Sequence, residues 1–232
     1  MSLGHGASII KNGLVLHLDA ANVKTYPGSG TTLTDLSGND NNGTLVNGVG
    51  YSSDNRGSLT YDGVNDYITL SPSILIKNLT TNFSFEGVVK FNTSGGQYGI
   101  FTKGNNFSSG WTVYLRQGPQ FSFIGSNSSG TSSGLLATTI PGEISVGNWY
   151  HVVYTYNSAN VICYVNGEFK NSSGYSQVFN DSGNSPIIGY EPSIAAPNFW
   201  NGNIPLVRLY NRALSAAEVQ QNFEATRGRY GI

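Results

Sequence analysis

Charge is scarce in this chain. Asp, Glu, Lys and Arg make up 11% of its 232 residues, against about 25% in an average domain. Twelve Lys and Arg face 13 Asp and Glu, a formal net charge of -1. That balance excludes the basic footprint expected of a nucleic-acid binder or a protein drawn to anionic membranes. Cysteine is nearly absent: Cys163 alone permits no intrachain disulfide framework and no multi-cysteine zinc site. No apolar run approaches the roughly 18 residues that span a bilayer. The start, Met1-Ser2-Leu3-Gly4-His5-Gly6, lacks the basic and apolar regions of a signal peptide, so synthesis in a cytoplasm is expected.

Gly (30 residues), Tyr (14), Asn, Ser and Thr take the place of charge. They favour strands and tight turns over helices. Short alternating segments bounded by turn residues predict strands at Leu14–Leu18, Ser58–Tyr61, Tyr67–Leu70, Phe83–Phe91, Gly99–Thr102 and Trp111–Leu115. The series continues at Phe121–Gly125, Trp149–Tyr156, Val161–Val165, Ile187–Tyr190 and Ile204–Tyr210. Asn166-Gly167, between Val161–Val165 and Glu168–Lys170, suits a type I′ hairpin turn. Ser215-Ala216-Ala217-Glu218 is a capping box, with Leu214 and Val219 placed as a hydrophobic staple. One helix near 216–226 follows. The pattern predicts an all-β, two-sheet antiparallel sandwich or jelly roll with that single terminal helix. It reads as a tail over 1–12 and one domain over 13–232.

No catalytic constellation is visible. Glycoside hydrolysis needs paired carboxyls roughly 5–9.5 Å apart. On a strand that pair would occupy alternate positions, but Glu86 shares its face with Val88 and Lys90. Glu143, Glu168 and Glu191 fall in or beside turns. His5 lies in the tail, and His17, His151 and Cys163 read as strand-face or core residues without partners at motif spacing. The chain is therefore expected not to be an enzyme.

Four blocks carry a family resemblance. They are Tyr61-Asp62-Gly63-Val64-Asn65-Asp66-Tyr67-Ile68, Phe83–Lys90, Asn148–Tyr156 with Tyr164-Val165-Asn166-Gly167-Glu168, and Asn201–Ile204 with Val207–Ser215. In order and spacing they resemble the LamG-like jelly roll of the concanavalin A-like lectin/glucanase superfamily. Gly87 stands where that pattern usually has Trp, and Pro205 where it has an acidic residue. The flanks Gly13–Asn22, Tyr26–Thr32, Asp35–Asn39 and Gln221–Gly231 resemble LamG-like modules of tailed-phage virion proteins. This resemblance implies a place on the virion surface, after synthesis in the host cytoplasm.

Many sandwiches of this superfamily hold calcium at their rim, and calcium takes six to eight oxygens. The loop from Asp35 to Gly43 is dense in such oxygens. Asp35 and Asn39 there, with Asp19, Asp62 and Asp66 from the resemblance, are the candidate Ca2+ ligands. Asp, Asn and Gly are also what turns require, and that reading stays open. For sugar stacking the candidates are Tyr98, Phe107, Tyr190, Phe199 and Trp200, in or beside Gly-, Asn- and Ser-rich loops. Trp200 reads equally as a plug for the sandwich end. Trp111 and Trp149 read as core.

The expected function is surface recognition or adhesion through a cell-surface glycan. The alternative is a capsid-decoration or fibre protein whose partners are other virion proteins, copies of itself included. A glycoside hydrolase is the third reading and lacks its carboxylate pair.

Overall fold

Alternation of small polar and apolar residues resolves into short strands joined by Asx- and Gly-based turns. The computed structural model describes residues 7–71, 73–105, 109–127, 129–181, 183–192 and 199–232. In chain order the strands are β1 (Leu14–Asp19), β2 (Thr32–Leu33), β3 (Gly43–Val46), β4 (Gly50–Ser52), β5 (Ser58–Asp62), β6 (Tyr67–Leu70), β7 (Asn82–Phe91) and β8 (Tyr98–Asn105). Then follow β9 (Ser109–Arg116), β10 (Gln120–Gly125), β11 (Trp149–Asn157), β12 (Asn160–Val165), β13 (Glu168–Gly174), β14 (Ile187–Ile188) and β15 (Asn201–Tyr210). A one-turn helix α1 (Ile74–Lys77) precedes β7, and α2 (Ala216–Thr226) follows β15.

Two antiparallel sheets result. One runs β13-β12-β11-β7-β15-β5-β4, with β1 also on β15; the other runs β10-β9-β8-β14-β6-β3-β2. Strand β15 serves two neighbours on one side: Asn201–Asn203 pair with β5, and Leu206–Tyr210 with β1. The change of partner falls at Pro205, where the β15–β7 register also shifts. A proline has no N–H to give a ladder and is confined to such irregular places. Its carbonyl still accepts from Ala20 N at 2.8 Å.

The inward faces meet in one aromatic-rich core. Trp111 stacks on Phe83 of the opposite sheet at 4.6 Å and on Phe101 at 5.2 Å. Its Nε1 donates to Leu79 O at 2.9 Å, so the indole is buried without an orphaned donor. Each such ring contributes about 1.5–3 kcal/mol through burial. At Gly87 the ring of Phe85 fills the space of the missing side chain, with Cζ 2.9 Å from where a Cβ would stand.

The hairpin forms as expected, with Asn166 at φ 52° and Gly167 at φ 78°. Two expectations change. Trp149 is half-buried on the outer face against Tyr230, at 4.9 Å, because the β11 register turns Tyr150 inward instead. The segment Ile187–Tyr190 is a strand only over Ile187–Ile188.

Helix α2 lies on the outer face of the first sheet, where Val219 and Leu214 pack with Val153, Tyr164 and Tyr210. Its capping box is complete: Ser215 Oγ accepts from Glu218 N, and Glu218 accepts from Ser215 N. Arg212 grips the Glu218 carboxylate through both terminal nitrogens, at 2.6 and 2.8 Å, and draws its pKa down to about 2. The N-terminal segment joins this layer through Ile10 N, which donates to Asn222 Oδ1 at 2.7 Å. Removing the cap with Ser215→Ala should destabilise the domain by about 1 kcal/mol. A thermal melt should show that as a Tm about 2–4 °C lower.

Candidate functional site

Outward positions on β7, β11 and β15 are occupied by Glu86, His151, Arg208 and Tyr210. The central strand positions of Glu86 and Arg208 are directly opposed. Glu86 is fully buried. Its Oε1 accepts from Arg208 Nη1 at 2.6 Å and lies 3.0 Å from His151 Nε2. Its Oε2 accepts from Asn222 Nδ2 at 2.8 Å and Tyr210 OH at 3.2 Å. Burial would raise the Glu86 pKa; the Arg208 guanidinium and the His151 bond outweigh it and hold it down to about 2. An ionised carboxylate makes His151 Nε2 the donor. Truncating one partner of such a buried pair typically costs 3–5 kcal/mol. Through Asn222, this network also fixes α2 over the sheet.

Beside it opens a polar cleft of ≈ 420 Å³, within the usual range for ligand sites. Its floor is β15, with Leu206 and Arg208, and Asp19 of β1 forms one side. The end of α2 and the following turn bring Thr226 and Arg229, and the Asp54–Arg56 turn brings Arg56. Arg229 Nη1 sits 2.9 Å from both oxygens of Asp19, and its guanidinium lies over the Tyr230 ring at 4.7 Å. Glu224 at the mouth is paired with Arg227 at 2.7 Å. Such paired carboxylates and guanidiniums can offer hydroxyl groups acceptors and donors together.

His17, next to Arg208 across the β1–β15 ladder, is held neutral. Burial, then the Arg208 charge, lowers its pKa from 6.5 to about 4. Cys163 is an inert core thiol, pushed up to about 12 by burial.

The aromatic candidates divide. Tyr190 and Phe199 come together, stacked at 4.2 Å and 7°, with Tyr67 at 5.9 Å from Tyr190; all three are half-buried. Tyr98 and Trp200 cannot offer a stacking face. Tyr98 is buried in the core, and Trp200 is fully buried against Phe91. Trp200 is the plug. Phe107 lies outside the described residues. The cleft residues Arg56, Arg208, Thr226 and Arg229 were not legible as a site, because distant segments supply them. The one signal was the pairing of charged, outward positions on β1 and β15.

The metal candidates do not form one ligand set. Asp19 serves Arg229 and Ala21 N. Asp35 is buried and accepts from His17 N, Ser37 N, Ser37 Oγ and Asn41 N. Asn39 donates its Nδ2 to Ser37 Oγ. Asp62 accepts from Val64 N at 2.8 Å, and Asp66 accepts from Asp62 N at 3.1 Å. Apart from the Asp19–Arg229 pair and the bond from His17 N, these are local bonds of the kind that close turns. Among the described residues no group of three or more His, Cys, Asp or Glu converges, so the four candidate carboxylates do not all share one site.

Residues 62–220 match the Laminin_G_3 family model, of the concanavalin A-like lectin/glucanases superfamily. No curated protein matches the sequence. Among solved structures, the botulinum neurotoxin serotype D binding domain is similar, with TM-score 0.68 and 18% identity, over 93% of this chain and 52% of that one. The serotype D ligand binding domain in complex with N-acetylneuraminic acid gives TM-score 0.70 and 17% identity, over 93% and 51%. The botulinum neurotoxin DC binding domain in complex with rat synaptotagmin II gives 0.68 and 14%, over 94% and 52%. This chain thus spans about half the length of these structures. At such identity the likeness establishes the fold.

Two measurements check this geometry. Stability should be level between about pH 8 and 6.5, and fall as His17 protonates in the unfolded chain ahead of the native one, between pH 6.5 and about 4. A second fall should come between about 4.5 and 2, where only the unfolded chain takes up a proton at Glu86. Denaturant titrations across this range, repeated on His17→Gln, should show the upper limb reduced. Melts in millimolar calcium and in EDTA should superimpose; a calcium-raised Tm would restore a metal site.

Proposed function

The chain belongs to the Laminin_G_3 family of the concanavalin A-like lectin/glucanases superfamily, and on that premise we propose that it is a non-catalytic recognition module that binds carbohydrate. The observation that carries this reading is the polar cleft between β15 and the end of α2, with its Asp19–Arg229 fork. Sugar hydroxyls need adjacent donors and acceptors held in fixed geometry, and this fork supplies both. The half-buried Tyr67, Tyr190 and Phe199 group is a second surface of suitable chemistry. The non-catalytic reading is supported by Glu86, which is sealed from solvent and engaged by four donors. Relatives of the fold that were solved with N-acetylneuraminic acid and with synaptotagmin II make a glycan or a protein receptor reasonable partners.

The setting we propose is the exterior of a tailed-phage particle. Its support is the likeness of the flanking segments to virion modules. There many copies would act together, and linking weak sites raises avidity by about 10²–10⁴. Millimolar single-site binding would then suffice.

A glycan array probed with the multivalently displayed domain tests this. Binding that survives EDTA is the expected result. A blank at high display density would overturn the carbohydrate reading and favour a protein partner on the particle.

A further inference from the structure

The cleft beside α2 contains more hydrogen-bond donors than the protein uses. Arg208 is 3% exposed. Among the described residues its guanidinium has one hydrogen-bond acceptor, Glu86 Oε1, and its Nε is buried without a partner. Arg229 Nε is likewise buried and unpartnered, although Nη1 holds Asp19. Thr226, 5% exposed, has an unpartnered buried Oγ1. All three residues line the same cleft. Buried donors are normally satisfied, and leaving one unmade costs about 1–3 kcal/mol. Three residues with such unmade bonds thus line one cleft, which favours a polar occupant over an apolar one.

The charges give that occupant its sign. Both carboxylates on the wall are already neutralised, Asp19 by Arg229 and Glu224 by Arg227. Glu86, opposite Arg208 on the neighbouring strand β7, neutralises it without itself lining the cleft. Arg56 is exposed at the rim and has no ion pair among the described residues. The cleft therefore has one uncompensated positive charge and a surplus of donors. The volume, ≈ 420 Å³, accommodates a small polar molecule.

We infer that the cleft selects saccharides bearing an anionic group, a carboxylate or sulfate, whose oxygens are received by Arg208 and Arg56 while hydroxyls meet Thr226 and the Asp19–Arg229 fork. This rests on the carbohydrate reading above and adds the class of sugar. Guanidinium donors meet two oxygens of one oxyanion, planar or tetrahedral, in pairs, which gives direction as well as attraction. Arg208 is held in place by Glu86 before the ligand arrives, so little ordering is needed on binding.

The test compares uronic-acid-terminated, sulfated and neutral glycans on common backbones, displayed on one array at about 50 mM and 300 mM salt. Wild type is expected to prefer anionic members at least tenfold at low salt, with the preference shrinking at high salt. The carboxylate and sulfate arms tell which oxyanion is taken. Arg56→Gln should fold normally, as the side chain is exposed, and should lose about tenfold of the anionic binding. Thr226→Val keeps the side-chain shape and removes the orphaned hydroxyl. Its Tm should be unchanged or higher, while binding weakens about threefold; a residue that only packs would leave binding unmoved. Equal binding of anionic and neutral glycans would overturn the inference and leave the carbohydrate reading standing. So would an anionic preference insensitive to both variants. No glycan bound at all would remove both.

Discussion

One carboxylate organises the outer layer of this domain. Glu86, on β7, sits between two neighbouring strands and beneath a helix, and each of the three gives it a donor: His151 from β11, Arg208 and Tyr210 from β15, and Asn222 from α2. A carboxylate there without those donors would be strongly disfavoured, and the donors without it would be orphaned. The consequence is a unique placement of α2. Apolar contacts of Val219 and Leu214 alone would tolerate a helix shifted by part of a turn. The bond from Asn222 to Glu86 does not, and the cleft inherits that definition because one of its walls is the end of the same helix.

Most of the sheet framework was legible because its signals are local. The capping box, the Asn166-Gly167 turn and the long alternating strands each sit within about ten residues of chain. The misses are short or depend on distant partners. Strands β2, β3 and β4 are two to four residues long and lie among the Gly- and Asn-rich turns whose oxygens suggested a metal loop. Those oxygens do close turns, as Asp35 and Asp62 show. Trp200 and Tyr98 looked like loop aromatics by composition, yet strand parity and the packing of Phe91 put them inside.

The site was the least legible part. Glu86 looked like a lone acid because its partners are 65, 122, 124 and 136 residues away. The register of an antiparallel sheet, rather than sequence spacing, brings them together. What the sequence did hold was a set of polar residues at outward positions of three central strands, where an uncovered sheet would carry small hydroxyls or scattered charge. A helix at the chain's end was available to cover them.

Both ends of the described chain are attached to that helix layer. Ser8 O accepts from Gln221 and Ile10 N donates to Asn222, while Tyr230 and Ile232 pack beyond α2 on the outer face. Tension applied across the two ends therefore loads the helix joint together with the outer sheet face on which Tyr230 packs. The sheets are laced by long ladders; the joint is held by a few side-chain bonds and a small apolar cluster. Thr226 and Arg229 move with the helix, whereas Arg208 stays with the sheet, so pulling the ends apart parts the two walls of the cleft. Mechanical force and an occupant bridging those walls would act in opposition on the same hinge, and an occupied cleft would resist more tension than an empty one.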